Sequence, residues 1–567
     1  MHLRQISKST PLVALMMSMS AAIIMLPFSL IDYDRFHDGW MLTSAVAVHS
    51  GLTVHGEVFN QYGPLNPWLQ GLALYVPVSP AVALRLFTVI LTAGVIFLLA
   101  DMGRKSASES PVSHQAGVVA ATAWFASSDI WGVGPVRPWP SFLFTFLLML
   151  SFYLGLRAWA IADLDHGYRA RVLIAGSGAA LGLAVYTRVA SGVVLMVIVG
   201  ACATTALLLQ GSRKRLLVWG LAGFIPVAFA VPAVLLASGT GGEFVYDTVI
   251  WPLEFFRESA NLASPVSFTW LALTHFGPAI LVGLLTLKVG QRAIGTRPIG
   301  SVLVAVVSGG ALLAILGLTT RRMSSTDDFA GYFSWGAGIM LLWTCVIVAI
   351  LGASTAIVII VIRSRQLTPS MFGLLALVAL AVAGLQEVSP DYTLRHVWWS
   401  LPFGLLLVFS VMPKVSGSDH WLCNPLMVPI VAIASYGVYI GISNLGLPRV
   451  PAPSSSVAAG MYVDSVTSAQ IAEDLKVLDR GLADRKAVFL TMISDLSITR
   501  GTYSSVDAYF HCYLGSATLM SRIVDAAAVV VDKEKEPKCA NLESDFLTNQ
   551  GFSLSGATDR YSIYVRP

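Results

Sequence analysis

The sequence predicts an α-helical protein that crosses a membrane many times and ends in a small α/β domain; three observations carry that expectation. Hydrophobic residues fill 55% of the 567 positions and charged residues only 12%, with a mean hydropathy of +0.71, far more apolar than a soluble core requires. Several apolar runs reach the roughly 20 residues that a helix needs to cross a hydrocarbon layer of about 30 Å. After Leu445 the composition becomes ordinary, with short hydrophobic strings of the length of buried strands.

Each element follows in order. Arg4 and Lys8 precede the run 12–31, which is long for a signal-peptide core and has no small-residue cleavage site before Asp32, so it reads as an uncleaved first transmembrane helix. With the N-terminus cytoplasmic, the excess of Lys and Arg in inner loops can be tested at each later turn. Helices are expected at 82–101, 117–130 and 140–160, and the stretch 172–209 is long enough for two short helices broken at Tyr186, Thr187 and Arg188. Further helices are expected at 217–236, 270–287, 301–318, 334–362, 372–385, 397–412 and 425–442, about 13 crossings with the C-terminus outside. Arg104, Lys105, Arg169, Arg171, Arg213, Lys214, Arg215, Lys288, Arg292, Arg363, Arg365 and Lys414 then fall inside, while Arg321 and Arg322 break the rule by landing outside. The apolar segment 65–78 carries Pro67 and Pro77 and is too short to span, so it reads as an interfacial or re-entrant helix on the outer side.

The expected organisation is a transmembrane domain over residues 1–444 with a first outer loop at 32–80, a Pro/Ser/Ala-rich linker at 445–466, and an extracytoplasmic α/β domain at 467–567. Within the last, 469–482 reads as an amphipathic helix and 487–493, 526–532 and 561–566 as buried strands. Cys512 and Cys539 lie in this polar region and are able to pair as a disulfide in an oxidising compartment; Cys202, Cys345 and Cys423 lie in or beside apolar runs, as small buried thiols do.

The net charge of +4 is small and spread over loops, so nothing points to nucleic acid. There is no phosphate-binding P-loop, no dinucleotide glycine motif, no zinc-spaced Cys/His cluster and no nucleophile elbow. Polar residues instead gather in the outer loops. Asp38 stands out because it follows the first helix closely and opens an amphipathic helix at 40–50, where a carboxylate is either a helix cap or a group that takes a proton from an attacking hydroxyl. Arg188 at the helix break and Arg395 with His396 beside Trp398 and Trp399 are candidates for gripping phosphate oxygens, with snorkelling or interfacial anchoring as the simpler roles.

The string "DRFHDGWMLTSAVAVHSGLTVHGEVFNQYGPLNPWLQGLAL" resembles the first outer loop of multispanning glycosyltransferases of the GT-C class, which use polyprenyl-phosphate-linked sugars. There an acidic residue after the first helix is followed by an amphipathic helix and a "YGPL" or "PPL" motif; the matching positions are Asp38, then Ala45 and Gly51, then Tyr62, Gly63, Pro64 and Leu65. The topology and outer C-terminal domain are similar to the protein O-mannosyltransferase and lipid A aminoarabinose transferase branch. The resemblance implies an inverting transfer from a polyprenyl-phosphate sugar to a glycan, lipid or protein acceptor on the outer face of the inner membrane. Asp38 would be the base, with His37 and Asp34 as helpers, and Arg188, Arg395, Arg321, Arg322 and His396 would serve the lipid phosphate. Tyr62, Glu254, Arg257 and Arg137 would line the sugar or acceptor side. Members of the class often carry "DE" where this chain has "HDG", so the second acid is missing unless Asp34 supplies it; no cofactor is indicated and a divalent metal is left open. A lipid-linked glycan flippase, an O-antigen-ligase-like enzyme and a noncatalytic glycan-binding scaffold are the alternatives. Polar residues on one face and unlike halves favour the enzyme over a transporter.

Overall fold

In the computed structural model of the chain, the described residues are 2–35, 37–102, 114–127, 136–161, 167–189, 191–193, 214–251, 369–383, 399–416, 441–482, 487–490, 526–532, 546–558 and 561–567, with a few isolated positions between them. The helices expected at 270–287, 301–318 and 334–362, and the candidates Glu254, Arg257, Arg321, Arg322, Arg395 and His396, lie outside these residues, as do Cys512 and Cys539.

The membrane part begins with α1 (His2–Phe28), α2 (His37–His49), α3 (Leu65–Ala73), α4 (Pro80–Met102), α5 (His114–Ser127), α6 (Pro140–Ile161) and α7 (Gly167–Val185). It continues with α8 (Lys214–Ala237), the short α9 (Gly241–Val245), a π-helical turn (Tyr246–Ile250), α10 (Pro369–Ala383) and α11 (Leu401–Ser416). Among the described residues, four helical segments are long and apolar enough to cross a membrane: Pro11–Phe28, Pro80–Met102, Pro140–Ile161 and Arg215–Ala237. The segment Pro80–Met102 is 72% buried, whereas Arg215–Ala237 is only 11% buried, so α4 is central and α8 turns a broad apolar surface outward, where lipid suits it and water does not.

Large aromatics fill the space between helices. Trp124, Phe142, Phe144, Trp399, Phe403 and Phe409 are essentially inaccessible, and the Phe144 and Trp399 rings meet edge to face at 4.8 Å, a preferred arrangement of aromatic quadrupoles. Between α7 and α8 the backbones touch: a methyl added at Gly178 would lie 1.9 Å from the Gly220 carbonyl oxygen, and one at Gly223 would lie 1.9 Å from that of Ala175. Small residues at such a crossing allow dispersion contacts that larger ones would prevent.

Helix α7 ends at Val185, and Tyr186–Arg188 forms the break expected from the sequence. The first loop uses it. Gly63 donates its N–H to the Thr187 carbonyl and Leu65 to that of Tyr186, both at 3.1 Å, and a methyl at Gly63 would fall 1.8 Å from the Tyr186 oxygen. The "YGPL" string therefore has a local reason: glycine admits the backbone of another helix, and Pro64 then starts α3 without wasting an N–H.

The C-terminal region holds β1 (Val450–Pro451), β2 (Tyr462–Val463), α12 (Ser465–Leu482), β3 (Ala487–Leu490), β4 (Ala528–Asp532), β5 (Ser553–Ala557) and β6 (Tyr561–Val565). Four strands form a sheet in the order β3-β4-β6-β5, parallel between β3 and β4 and antiparallel elsewhere. Helix α12 covers one face with Ile471, Leu475, Leu478 and Leu482, the i, i+4, i+7 stripe of an amphipathic helix; Leu547 and Phe552 cover Val529 and Val531 on the other. Central β4 is thus buried on both faces, which is why its sequence is a continuous apolar run. Residues 445–466, expected as a linker, carry the β1–β2 pair, and Ala452, Val457, Ala458 and Met461 share one buried cluster with Tyr33, Leu42, Ala81 and Leu84 of the membrane part.

Candidate functional site

The site grows from the strap 29–38 between α1 and α2. Asp34 and Asp38 start α2 by capping each other. The Asp34 side chain accepts the His37 N–H through Oδ1 at 3.0 Å, while Asp38 Oδ2 accepts the Asp34 N–H at 3.0 Å. This is the reciprocal logic of a capping box, and the positive end of the helix favours both carboxylates.

Beyond that shared task the two acids face different surroundings. Asp38 is 1% exposed and its Oδ2 is ion-paired with Arg85 of α4. The same guanidinium donates to the carbonyls of Phe28 at 3.1 Å, of Asp32 at 2.7 Å and of Ile31. Arg85 therefore satisfies the last carbonyl of α1 and two carbonyls of the strap that follows it, and neutralises the acid at the start of α2. Nothing in an apolar run marked Arg85 for this role; its signal was a lone arginine six positions into a helix that is otherwise lipid-like.

Asp34 lies at the other side of the strap. Its Oδ2 accepts from His37 Nδ1 at 2.7 Å and is 3.1 Å from an Arg137 guanidinium nitrogen. Burial raises its carboxyl, but the His37 hydrogen bond and the Arg137 and His37 charges outweigh burial and hold it well below the usual carboxylate range. The His37 ring sits 5.2 Å from that of Trp139, Trp139 meets Tyr62 at 6.5 Å and Tyr62 meets Trp40 at 6.4 Å. Arg188 lies over the Tyr62 ring at 5.8 Å and donates to Ser141 Oγ at 2.8 Å.

Five of the residues singled out in the sequence, Asp34, His37, Tyr62, Arg137 and Arg188, thus meet from four segments: the strap, the "YGPL" turn, the entry to α6 and the α7 break. Asp38 lies in the same strap but points to Arg85. Trp139 and Ser141, which had no motif to mark them, complete the cluster. The arrangement offers a carboxylate–imidazole pair, two guanidiniums and three aromatic faces at one end of the helix bundle. Among the described residues, no group of three or more His, Cys, Asp or Glu side chains comes together as a metal site.

A second loop closes over this end. His55, in the left-handed region with φ 72°, places Nδ1 2.9 Å from Asp247 of the π-helical turn, and Asp247 also accepts the Asn60 N–H at 3.3 Å. Burial pushes the Asp247 carboxyl up against the opposing pull of His55 and Asn60. Phe59 and Trp251 meet edge to face at 5.3 Å, packed against Trp40 and Tyr246.

The described helices make this a multi-pass membrane protein, and its overall fold is similar to that of a solved polytopic membrane protein. The oligosaccharyltransferase of Archaeoglobus fulgidus, solved tethered with an acceptor peptide containing the NVT sequon via a disulfide bond, matches with a TM-score of 0.51 at 12% identity, over 93% of this chain and 69% of that one. ArnT from Cupriavidus metallidurans bound to undecaprenyl phosphate matches at 15% identity and a TM-score of 0.44 over 96% of this chain and 97% of that one. Its apo state matches at 14% and 0.45 over 96% of each chain. No family model and no curated protein matches the sequence.

Proposed function

We propose that this protein is an inverting glycosyltransferase that moves a sugar from a polyprenyl phosphate to a hydroxyl of a cell-envelope glycan, lipid or protein, on the non-cytoplasmic face of the inner membrane. The observation that carries this reading is the meeting of Asp34, His37, Arg137 and Arg188 around the rings of Tyr62 and Trp139 at one end of the bundle. The fold shared with an oligosaccharyltransferase is consistent with it.

The chemistry needs few parts. The donor already carries a phosphate leaving group, so the protein has to orient and deprotonate an acceptor hydroxyl and to hold the charge that develops on the departing phosphate. The base is His37. Its Nδ1–H is held by Asp34, which leaves Nε2 as the atom that accepts a proton. Asp34, kept ionised so far below its ordinary value, is a weak base and a strong orienting group. Asp38 is set aside as the base because its carboxylate is buried and already neutralised by Arg85. In the reaction the acceptor oxygen bonds to the anomeric carbon as the carbon–phosphate oxygen bond breaks from the opposite side. The hydroxyl proton passes to His37, and Arg137 and Arg188 take the charge on the polyprenyl phosphate. The faces of Tyr62, Trp139 and Trp40 suit the apolar side of a sugar ring.

The test is transfer from a synthetic radiolabelled polyprenyl-phosphate sugar to envelope acceptors by the purified protein in lipid nanodiscs. The parent should transfer label, and His37→Ala and Asp34→Asn should lose about 100- to 10,000-fold in kcat at unchanged fold. Label transfer at parental rate by both variants, or by neither variant nor parent across a panel of sugars, would sink the proposal.

A further inference from the structure

The strap that carries Asp34 is held from two sides, and one of them is the C-terminal domain. Arg35, next to Asp34, is 7% exposed and its Nη1 donates to Asp474 of α12 at 2.8 Å, a buried pair between residues 439 positions apart. Arg449 forks onto both oxygens of Asp32 at 2.9 and 2.7 Å. Tyr462 of β2 donates its N–H to the Leu30 carbonyl at 2.7 Å and accepts the Asp32 N–H at 3.0 Å. Asp32 itself sits at φ 55°, a conformation that a residue other than glycine keeps only where its surroundings enforce it.

We infer that the C-terminal domain is a working part of the reaction centre: Asp474 and Arg449 are positioning residues that, through Arg35 and Asp32, fix where Asp34 presents its carboxylate to His37. The inference rests on the proposed transfer reaction for its consequence, though not for its geometry. Arg85 supplies the opposite hold, on the Ile31 and Asp32 carbonyls of the same strap, so Asp34 is suspended between α4 and the domain. Loss of either grip leaves the strap with one anchor. A carboxylate displaced by a fraction of an ångström no longer aligns the imidazole, and misplacement of that size is felt in rate before it is felt in binding. The donor phosphate, by contrast, is assigned chiefly to Arg188, which is held by Ser141 and the Tyr62 ring and not by the strap.

The experiment uses the full chain in nanodiscs with Asp474→Asn, Arg449→Ala, and the exchanged pair Arg35→Asp with Asp474→Arg. Two quantities are read: steady-state transfer from a polyprenyl-phosphate sugar, and deuterium uptake by the peptide covering 30–38. The expected result is a fall in kcat of about 10- to 100-fold in Asp474→Asn with KM for the donor within about twofold, a shifted kcat–pH profile, faster uptake in 30–38, and partial recovery in the exchanged pair. A domain that is only structural would leave kcat per folded molecule and the pH profile at parental values in both single variants, which overturns the inference. If Asp474→Asn does not fold, Arg449→Ala, which leaves the buried pair intact, decides on the same readouts. If the parent transfers no sugar, the proposed function falls, and uptake in 30–38 still decides the coupling: parental uptake in the folded variants overturns it.

Discussion

Asp38 and Asp34 stand one helical turn apart, and the protein treats them as opposites. Asp38 lies inside, paired with Arg85, which also satisfies the last carbonyl of α1. Asp34 lies at the margin, paired with a histidine and a half-buried arginine, the histidine beside the Trp139 ring. The cluster at the far end of the bundle resembles the first: Asp101 is 2% exposed and takes bonds from Tyr153 at 2.5 Å and Arg157 at 2.6 Å, tying α4 to α6. An acid with an arginine is thus a common structural tie. What sets Asp34 apart is a third partner, the His37 imidazole, and partial access to solvent, features that fit the proposed site better than a buried acid–arginine tie does.

The comparison can be broken at either acid. The largest effect is expected at the inner pair: Arg85→Ala leaves Asp38 charged and buried without its partner, a change that costs about 3–5 kcal/mol and should appear as loss of folded protein in a detergent thermal-shift series. At the outer pair, His37→Ala should retain the parental melting temperature within a few degrees while transfer falls about 100- to 10,000-fold. Gly63→Ala comes next. It drives a methyl into the Tyr186 carbonyl, and overpacking of this kind costs about 1–3 kcal/mol, so both stability and donor binding at neighbouring Arg188 should drop. The smallest effect is Phe59→Leu, which removes an edge-to-face pair worth about 0.5–1.5 kcal/mol and should loosen the second loop without changing kcat by more than a fewfold.

Acid sharpens the contrast. A carboxyl held below its ordinary value in the fold gives stability that is present above its unfolded value of about 4 and is lost as pH falls through the folded value. Asp34 is of this kind. The stability difference between parent and Asp34→Asn should therefore be constant from pH 8 to about pH 5 and close on further acidification. Asp247, whose carboxyl is raised, has the opposite sign: its contribution is fully present below about pH 4 and is lost as pH rises through its folded value, so Asp247→Asn should weaken the low-pH advantage of the second loop.

Much of this architecture is legible in the residues. The apolar runs at 82–101 and 140–160 became α4 (Pro80–Met102) and α6 (Pro140–Ile161), because length and hydropathy decide a spanning helix almost alone. The break at Tyr186–Arg188 and the glycine of "YGPL" were each visible, but their meeting was not, since a contact between backbone atoms 123 residues apart (Gly63 to Tyr186) leaves no periodic trace. Of the candidate residues, Asp34, His37, Tyr62, Arg137 and Arg188 were legible one by one, and their meeting was not. Motif likeness put weight on Asp38, whereas burial, which sequence spacing does not report, puts Asp34 and His37 at the margin and Asp38 inside. Trp139 left no signal, and the lone Arg85 of α4 left one that named no role, for a related reason: an aromatic or arginine near a helix end is ordinary at a membrane boundary, and only its neighbours give it a role.

The 439-residue span between Arg35 and Asp474 also sets an order of events in synthesis. The strap leaves the ribosome early, yet the residue that anchors it is made near the end of the chain, after all the intervening helices. A nascent or truncated chain therefore carries every member of the Asp34–His37 cluster and lacks one of the anchors that hold it in register. Contacts so distant in sequence form late because the intervening chain must first be ordered. The strap is therefore gripped from both sides only once the chain has been made through Asp474.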